Sequence, residues 1–219
     1  MSIPKVGDYY VLNIPEQNMK SVLMVTATFI RGLDVEIETL MYYPQYNRFS
    51  FKDWETDLFE KEYVAKANEN DVIEFKNAKL NDNEFKDVFI FTEEYLQEEA
   101  ARLVEKHWGI DEKPIIVMDF SESVELQSGL MGGACFNTRG KFIEFWSEIN
   151  RQMEHQEVLD MLLHELCHWY LFITGEEYRD NDVRFVKELI KLGIGHTHNS
   201  SNKEAAKAYK IALKEMNSL

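Results

Sequence analysis

Cysteine is scarce in this 219-residue chain, with only Cys135 and Cys167. Two thiols build neither the disulfide framework of a small secreted scaffold nor a four-cysteine zinc ribbon. They are expected to be free thiols in a reducing compartment. Proline and glycine are also few, at four and ten residues, and 45% of the chain is hydrophobic, which excludes a collagen-like or long low-complexity tract. Long apolar runs are missing too. The longest, residues 161–173, is interrupted by His164, Glu165 and His168 and falls short of the roughly 20 residues needed to cross a bilayer. The first residues, MSIPKVGDYY, carry no basic segment followed by an apolar one, so no secretory signal is read and a cytoplasmic location is expected.

Positive charge is the remaining shortage. Lys and Arg number 24 against 39 Asp and Glu, a net charge of −15. The imbalance is uneven: −6 over residues 1–90, −13 over 91–182 and +4 over 183–219. A chain this acidic repels phosphate backbones as a whole, which leaves only its C-terminal end for nucleic-acid contact.

The first 80 or so residues read as β-rich. Residues 21–30 are strand-like, Arg31 and Gly32 offer a turn, and Val35-Glu36-Ile37-Glu38-Thr39 alternates in and out. Tyr42, Tyr43, Tyr46, Phe49, Phe51 and Trp54 supply aromatics for the core of a small sheet. Residues 77–87, NAKLNDNEFKD, are the candidate linker. Beyond it, Thr92 is a candidate N-cap for a helix carrying Leu96, Ala100, Leu103, Val104 and Trp108, which Gly109 ends. A short strand follows Pro114, and residues 132–137 and 141–146 form a hairpin through Thr138-Arg139-Gly140. From Ser201 an amphipathic helix sets Lys203, Lys207, Lys210 and Lys214 apart from Ala205, Tyr209, Ala212, Leu213 and Met216.

The decisive stretch is 158–173, apolar on nearly every side, which marks a helix of the interior. It nevertheless holds two histidines and a glutamate, groups that cost several kcal/mol to bury without partners, of order 2 to 7 for even a neutral one. His164 and His168 are four apart and share a face, so both reach a single ion. Glu165 lies on the same side, where it serves as a proton acceptor and donor. Asp160, one turn earlier, either accepts a hydrogen bond from a site histidine or favours the helix N-terminus. Gly175 ends the helix and turns the chain back. A third metal ligand is expected after it. Asp180, Asp182, Glu188, His196 and His198 are the candidates. Asn181 and Asp182 are also acceptable as caps for the next helix. Cys167 faces away from the histidines and is assigned to the core.

The stretch 164–185, HELCHWYLFITGEEYRDNDVRF, resembles the SprT-like (Spartan-type) metallopeptidase family, in which H-E-L-x-H precedes a helix end at Gly and a segment closing on Phe. Upstream, Gly132-Gly133 and the strand at 141–146 are also similar to that family. The likeness spans roughly residues 90–200. It implies a zincin-like domain, His164 and His168 as zinc ligands, Glu165 as catalytic base, and an edge strand at 141–146 before the active helix. The family's third ligand is usually a histidine a few residues before that Phe, where this chain has Asp180, Asn181 and Asp182; Asp180, the first carboxylate in that window, is the choice the resemblance implies.

The expected architecture is therefore α+β. A small β-rich domain, residues 1–85, precedes a zincin-like metallopeptidase domain, residues 86–219, whose helices pack on a small antiparallel sheet. The expected function is zinc-dependent hydrolysis of peptide bonds in protein substrates, with an extended peptide adding to the strand at 141–146. DNA contact is expected to be at most weak and confined to the lysine stripe. The rival from another class is an acidic binding or inhibitor protein with a structural metal. Glu165 discriminates the two, because a structural site has no use for it.

Overall fold

The computed structural model describes residues 3–14, 19–31, 34–121, 133–198 and 203–217. Its class is α+β. The contacts divide the chain into two compact units that interleave in sequence. Residues up to Thr92 belong to the first, together with the described residues 119–121 and 146–152; the rest form the second.

The first unit is built on a five-stranded antiparallel sheet. Its strands are β1 (Tyr9–Ile14), β2 (Met19–Arg31), β3 (Asp34–Tyr43), β4 (Arg48–Glu55) and β5 (Val64–Lys66), in the order β4-β3-β2-β1-β5. Successive β2 side chains point to opposite faces, and both faces are covered. Leu23 and Val25 pack with Ile37, Met41, Leu58 and Phe59. Val22 and Met24 pack with Leu40, Tyr42, Phe49, Phe75 and Phe85. Of the aromatics assigned to this sheet, Tyr42 and Phe49 are buried, whereas Tyr46 and Phe51 are exposed.

Two readings of this region need correction. Residues 69–80 form a helix, α1 (Glu69–Leu80), opened by a capping box in which Asn68 Oδ1 accepts from Asp71 N at 3.1 Å and Asp71 Oδ2 accepts from Asn68 N at 3.3 Å. Nor is 77–87 a linker. Its first residues finish α1, Lys79 Nζ donates to Val88 O at 2.6 Å, and Phe85 is buried against Phe49 and Phe51. Phe85, the one bulky apolar side chain buried in this polar run, anchors it together with Ala78.

A β-bulge leaves Thr26 unpaired between Val25 and Ala27, and its hydroxyl donates to Glu38 Oε1 at 2.9 Å. Glu38 also pairs with Arg151. Ser147, at the start of the short helix α3 (Ser147–Asn150), accepts from Thr28 N at 2.8 Å and donates to Asp119 Oδ2 at 2.7 Å. These bonds explain why 119–121 and 146–152 count with the first unit.

The second unit contains α2 (Glu93–Trp108), β6 (Ile115–Met118), β7 (Ala134–Asn137), β8 (Phe142–Phe145), α4 (His155–Ile173), α5 (Val183–Lys191) and α6 (Lys203–Met216). Strands β7 and β8 form the expected hairpin, with Asn137 opposite Phe142. Asn137 Oδ1 accepts from Arg139 N and Gly140 N, fixing its turn. Gly132, placed in that hairpin from the sequence, lies outside the described residues. The sheet is not antiparallel throughout: its order is β6-β8-β7, and β6 runs parallel to β8. Residues 141–146 are therefore no edge strand. Both of β8's edges are taken, and among the described residues β7 is an edge of this sheet, next to α4.

No described helix is long and apolar enough to cross a membrane.

Candidate metal centre

Helix α4 starts with a capping box between Glu154 and Glu157 and is buried along most of its length, with Val158, Leu162, Leu163, Leu166, Cys167, Trp169 and Leu171 all enclosed. Tyr170 stacks on Trp108 at 4.7 Å. His164, Glu165 and His168 are thereby drawn into the interior, each 8–9% exposed.

The helix ends in a Schellman turn. Gly175 adopts φ 74°, its N–H donates to Phe172 O, and Glu176 N donates to Leu171 O at 2.8 Å. The returning chain then tightens again where Asp182 Oδ2 accepts from Arg179 N at 2.8 Å. Between these turns Asp180 meets the histidines: its Oδ1 lies 3.6 Å from His164 Nε2 and 3.7 Å from His168 Nε2. The two Nε2 atoms are 3.2 Å apart. These three residues are the one group of potential metal ligands among the described residues.

Protonation can be read from the far side of each ring. His168 Nδ1 contacts the Tyr178 carbonyl, which can only accept, so Nδ1 carries the proton. His164 Nδ1 lies 2.9 Å from Thr197 Oγ1, whose single hydrogen goes to Ile194 O at 2.8 Å, so Nδ1 donates here as well. When both rings are neutral, Nε2 is an acceptor in each. Three acceptors, two nitrogens and a carboxylate oxygen, converge with no donor between them. Such a cluster is repulsive unless a proton or a metal cation comes between its members. Ligands at about 2.0 to 2.2 Å around a tetrahedral ion are separated by about 3.3 to 3.6 Å, close to the three spacings observed. The donor set fits zinc.

Phe185 of α5 holds the rings in place, stacked on His168 at 4.0 Å and edge-on to His164 at 5.2 Å. Burial, with the neighbouring His164, lowers the pKa of His168 to about 4, which keeps it neutral at pH 7. Burial pushes Asp180 up, but the positive charge that His164 and His168 carry when protonated outweighs this and holds its carboxyl below the usual value. Asp180 is half exposed, so the cluster opens to solvent on that side.

Glu165 lies beside the cluster and accepts from Phe136 N of β7 at 2.7 Å. Burial raises its pKa to about 7, against the opposing pull of His164 and the Phe136 N–H. A carboxyl balanced near neutrality both takes and gives a proton. Cys135, on β7, is exposed, whereas Cys167 is core, as expected. Although Cys135 is exposed as a residue, its sulfur is partly buried and lies near Glu165 and Glu144, which pushes its thiol up to about 11; burial pushes the Cys167 thiol higher still.

The other candidates lie elsewhere. Glu188 is buried but engaged by Trp108 Nε1 at 3.0 Å and Arg184 Nη1 at 2.7 Å. His196 pairs with Asp160 at 3.0 Å, so Asp160 supports neither site histidine. His198 reaches the backbone of Asp180, its Nε2 donating to the carbonyl at 2.7 Å. Asp182 sits at the N-cap of α5, but its side chain makes no cap bond there. Asn181 Nδ2 contacts Glu204. The residues that orient the histidines, Thr197 and the Tyr178 carbonyl, carried no signal in the sequence, and neither did the Phe136 amide. The chain matches no protein-family model, no curated protein and no solved structure.

Proposed function

We propose that the chain is a zinc-dependent peptidase of the SprT-like, zincin type, with His164, His168 and Asp180 as the metal ligands. The observation that carries this reading is the meeting of three acceptors with no donor between them, open to solvent at Asp180 and flanked by Glu165. A zinc ion held there supplies Lewis acidity, polarising a scissile carbonyl and lowering the pKa of water toward about 7.

Glu165 is the general base and acid: its carboxylate takes a proton from the attacking water and returns it to the leaving amine. The Phe136 N–H keeps that carboxylate in place. An extended substrate is taken to lie along β7, which replaces the strand at 141–146 in that role. The rival, a structural metal in an acidic binding protein, is disfavoured because a structural site is closed by four protein ligands and the described residues supply three.

Native mass spectrometry of the full chain with added zinc is expected to show one ion per chain. Glu165→Gln is expected to keep fold and metal and to lose cleavage of an unfolded protein substrate. No metal uptake, or unchanged cleavage by Glu165→Gln, overturns the reading.

A further inference from the structure

The turn after α5 reaches the metal cluster from outside the motif. Gly193, at φ 81°, closes α5 in a second Schellman turn, with Gly193 N donating to Ile190 O and Ile194 N donating to Leu189 O. Ile194 is buried, which pins the turn that follows. That turn is a single 3₁₀ turn, Gly195–Thr197. It is tight against its surroundings, since a Cβ on Gly195 would come within 3.3 Å of Ile190 Cγ1 and the Tyr209 hydroxyl. Thr197 Oγ1 meets His164 Nδ1, and the next residue, His198, stacked on Tyr209 at 5.3 Å, holds the Asp180 carbonyl.

We infer that Thr197 is a positioning residue that fixes His164 in its Nδ1-protonated tautomer before any metal arrives, so that Nε2 is presented to the ion as an acceptor. The inference rests on the metal-site reading above. Its basis is the direction of two hydrogen bonds. If the hydroxyl donated to His164 instead, Thr197 Oγ1 and Ile194 O would face each other at 2.8 Å with no hydrogen between them. Donation to Ile194 O satisfies both contacts and leaves Oγ1 only the role of acceptor toward Nδ1–H. A partner of this kind on the far side of a ligating imidazole sets both tautomer and ring orientation. His168 has an independent holder in Tyr178 O, so it serves as an internal control.

The test uses the full-length chain with Thr197→Val, which keeps the shape and removes the acceptor, and Thr197→Ser, which keeps the hydroxyl. Imidazole ¹H–¹⁵N correlation spectra of the metal-free proteins report each tautomer, and chelator competition reports zinc affinity. In the parent, His164 is expected in the Nδ1–H form. In Thr197→Val, His164 is expected to shift toward the Nε2–H form while His168 does not, with zinc affinity reduced by roughly ten- to a hundredfold. Thr197→Ser is expected to restore both. A parent with His164 in the Nε2–H form overturns the inference, as does a Thr197→Val variant with parental tautomer and affinity. A parent that binds no zinc overturns the metal-site reading, and the metal-free tautomer of His164 still decides the role of Thr197.

Discussion

Neighbouring carboxylates in the segment 180–188 play separate roles, and single substitutions separate them. Asp180→Ala is expected to weaken zinc binding by roughly tenfold or more, because the only carboxylate oxygen of the cluster goes. Asp182→Ala removes the acceptor for Arg179 N and is expected to cost about 1 kcal/mol of stability, read from thermal melts. Parental zinc affinity in Asp180→Ala would return the third-ligand question to other groups. Glu188 gives a pH-dependent case. Burial raises its pKa, but hydrogen bonds from Arg184 and Trp108 outweigh this and hold it below the ordinary 4.5. Its contribution is present in full above that ordinary value and is lost as the pH falls through the lower folded one. Glu188→Gln is therefore expected to destabilise the chain at pH 7, by about 1 to 3 kcal/mol, and the gap to the parent is expected to narrow in acid. A gap that widens below pH 4 would contradict the assigned partners.

Among the elements, α4 and its C-terminal turn do most to build the site. The helix brings His164 and His168 one above the other, but only the reversal at Gly175 returns the chain to them. A Cβ at Gly175 would meet nothing within 4 Å, so Gly175→Ala carries backbone strain alone. It is expected to cost about 1 to 2 kcal/mol and to loosen zinc binding through Asp180. Unchanged melting and affinity would mean that the turn is held by something other than its left-handed residue. Helix α1 offers a simpler check. Asn68→Ala removes one half of a capping box and is expected to cost about 1 kcal/mol.

Charge is the property that belongs to the whole molecule. The net −15 is concentrated before residue 183, while Lys203, Lys207, Lys210 and Lys214 lie exposed along α6, opposite the buried Ala205, Ala208 and Ala212. Should α6 bind a polyanion such as DNA, affinity is expected to fall steeply with salt and to vanish when these four lysines become Ala. A binding assay at low salt that detects no DNA affinity removes the idea.

The amino-acid order alone determined what short-range periodicity controls. The buried character of 158–173, the shared face of His164 and His168, the glycine stop at Gly175 and the alternation in β3 all follow from spacings of a few residues, and each was legible. The Asn68–Asp71 capping box is equally local, though a β-rich reading of the first 80 residues leaves it out. Contacts between distant segments obey no such spacing. The polar composition of 77–87 concealed the one bulky side chain, Phe85, that fixes it to the sheet. A hairpin pattern specifies that β7 and β8 pair, but β6 takes β8's other side and, among the described residues, leaves β7 as an edge, a matter of which strand covers which apolar face. Glu188 and Asp180 were both chemically able to complete the metal site. Folding gave Glu188 to Trp108 and Arg184, and brought Asp180, with Thr197 and the Tyr178 carbonyl behind the rings, to the histidines. Only the tertiary structure decides which buried polar group meets which, because each is satisfied by partners far away in the chain.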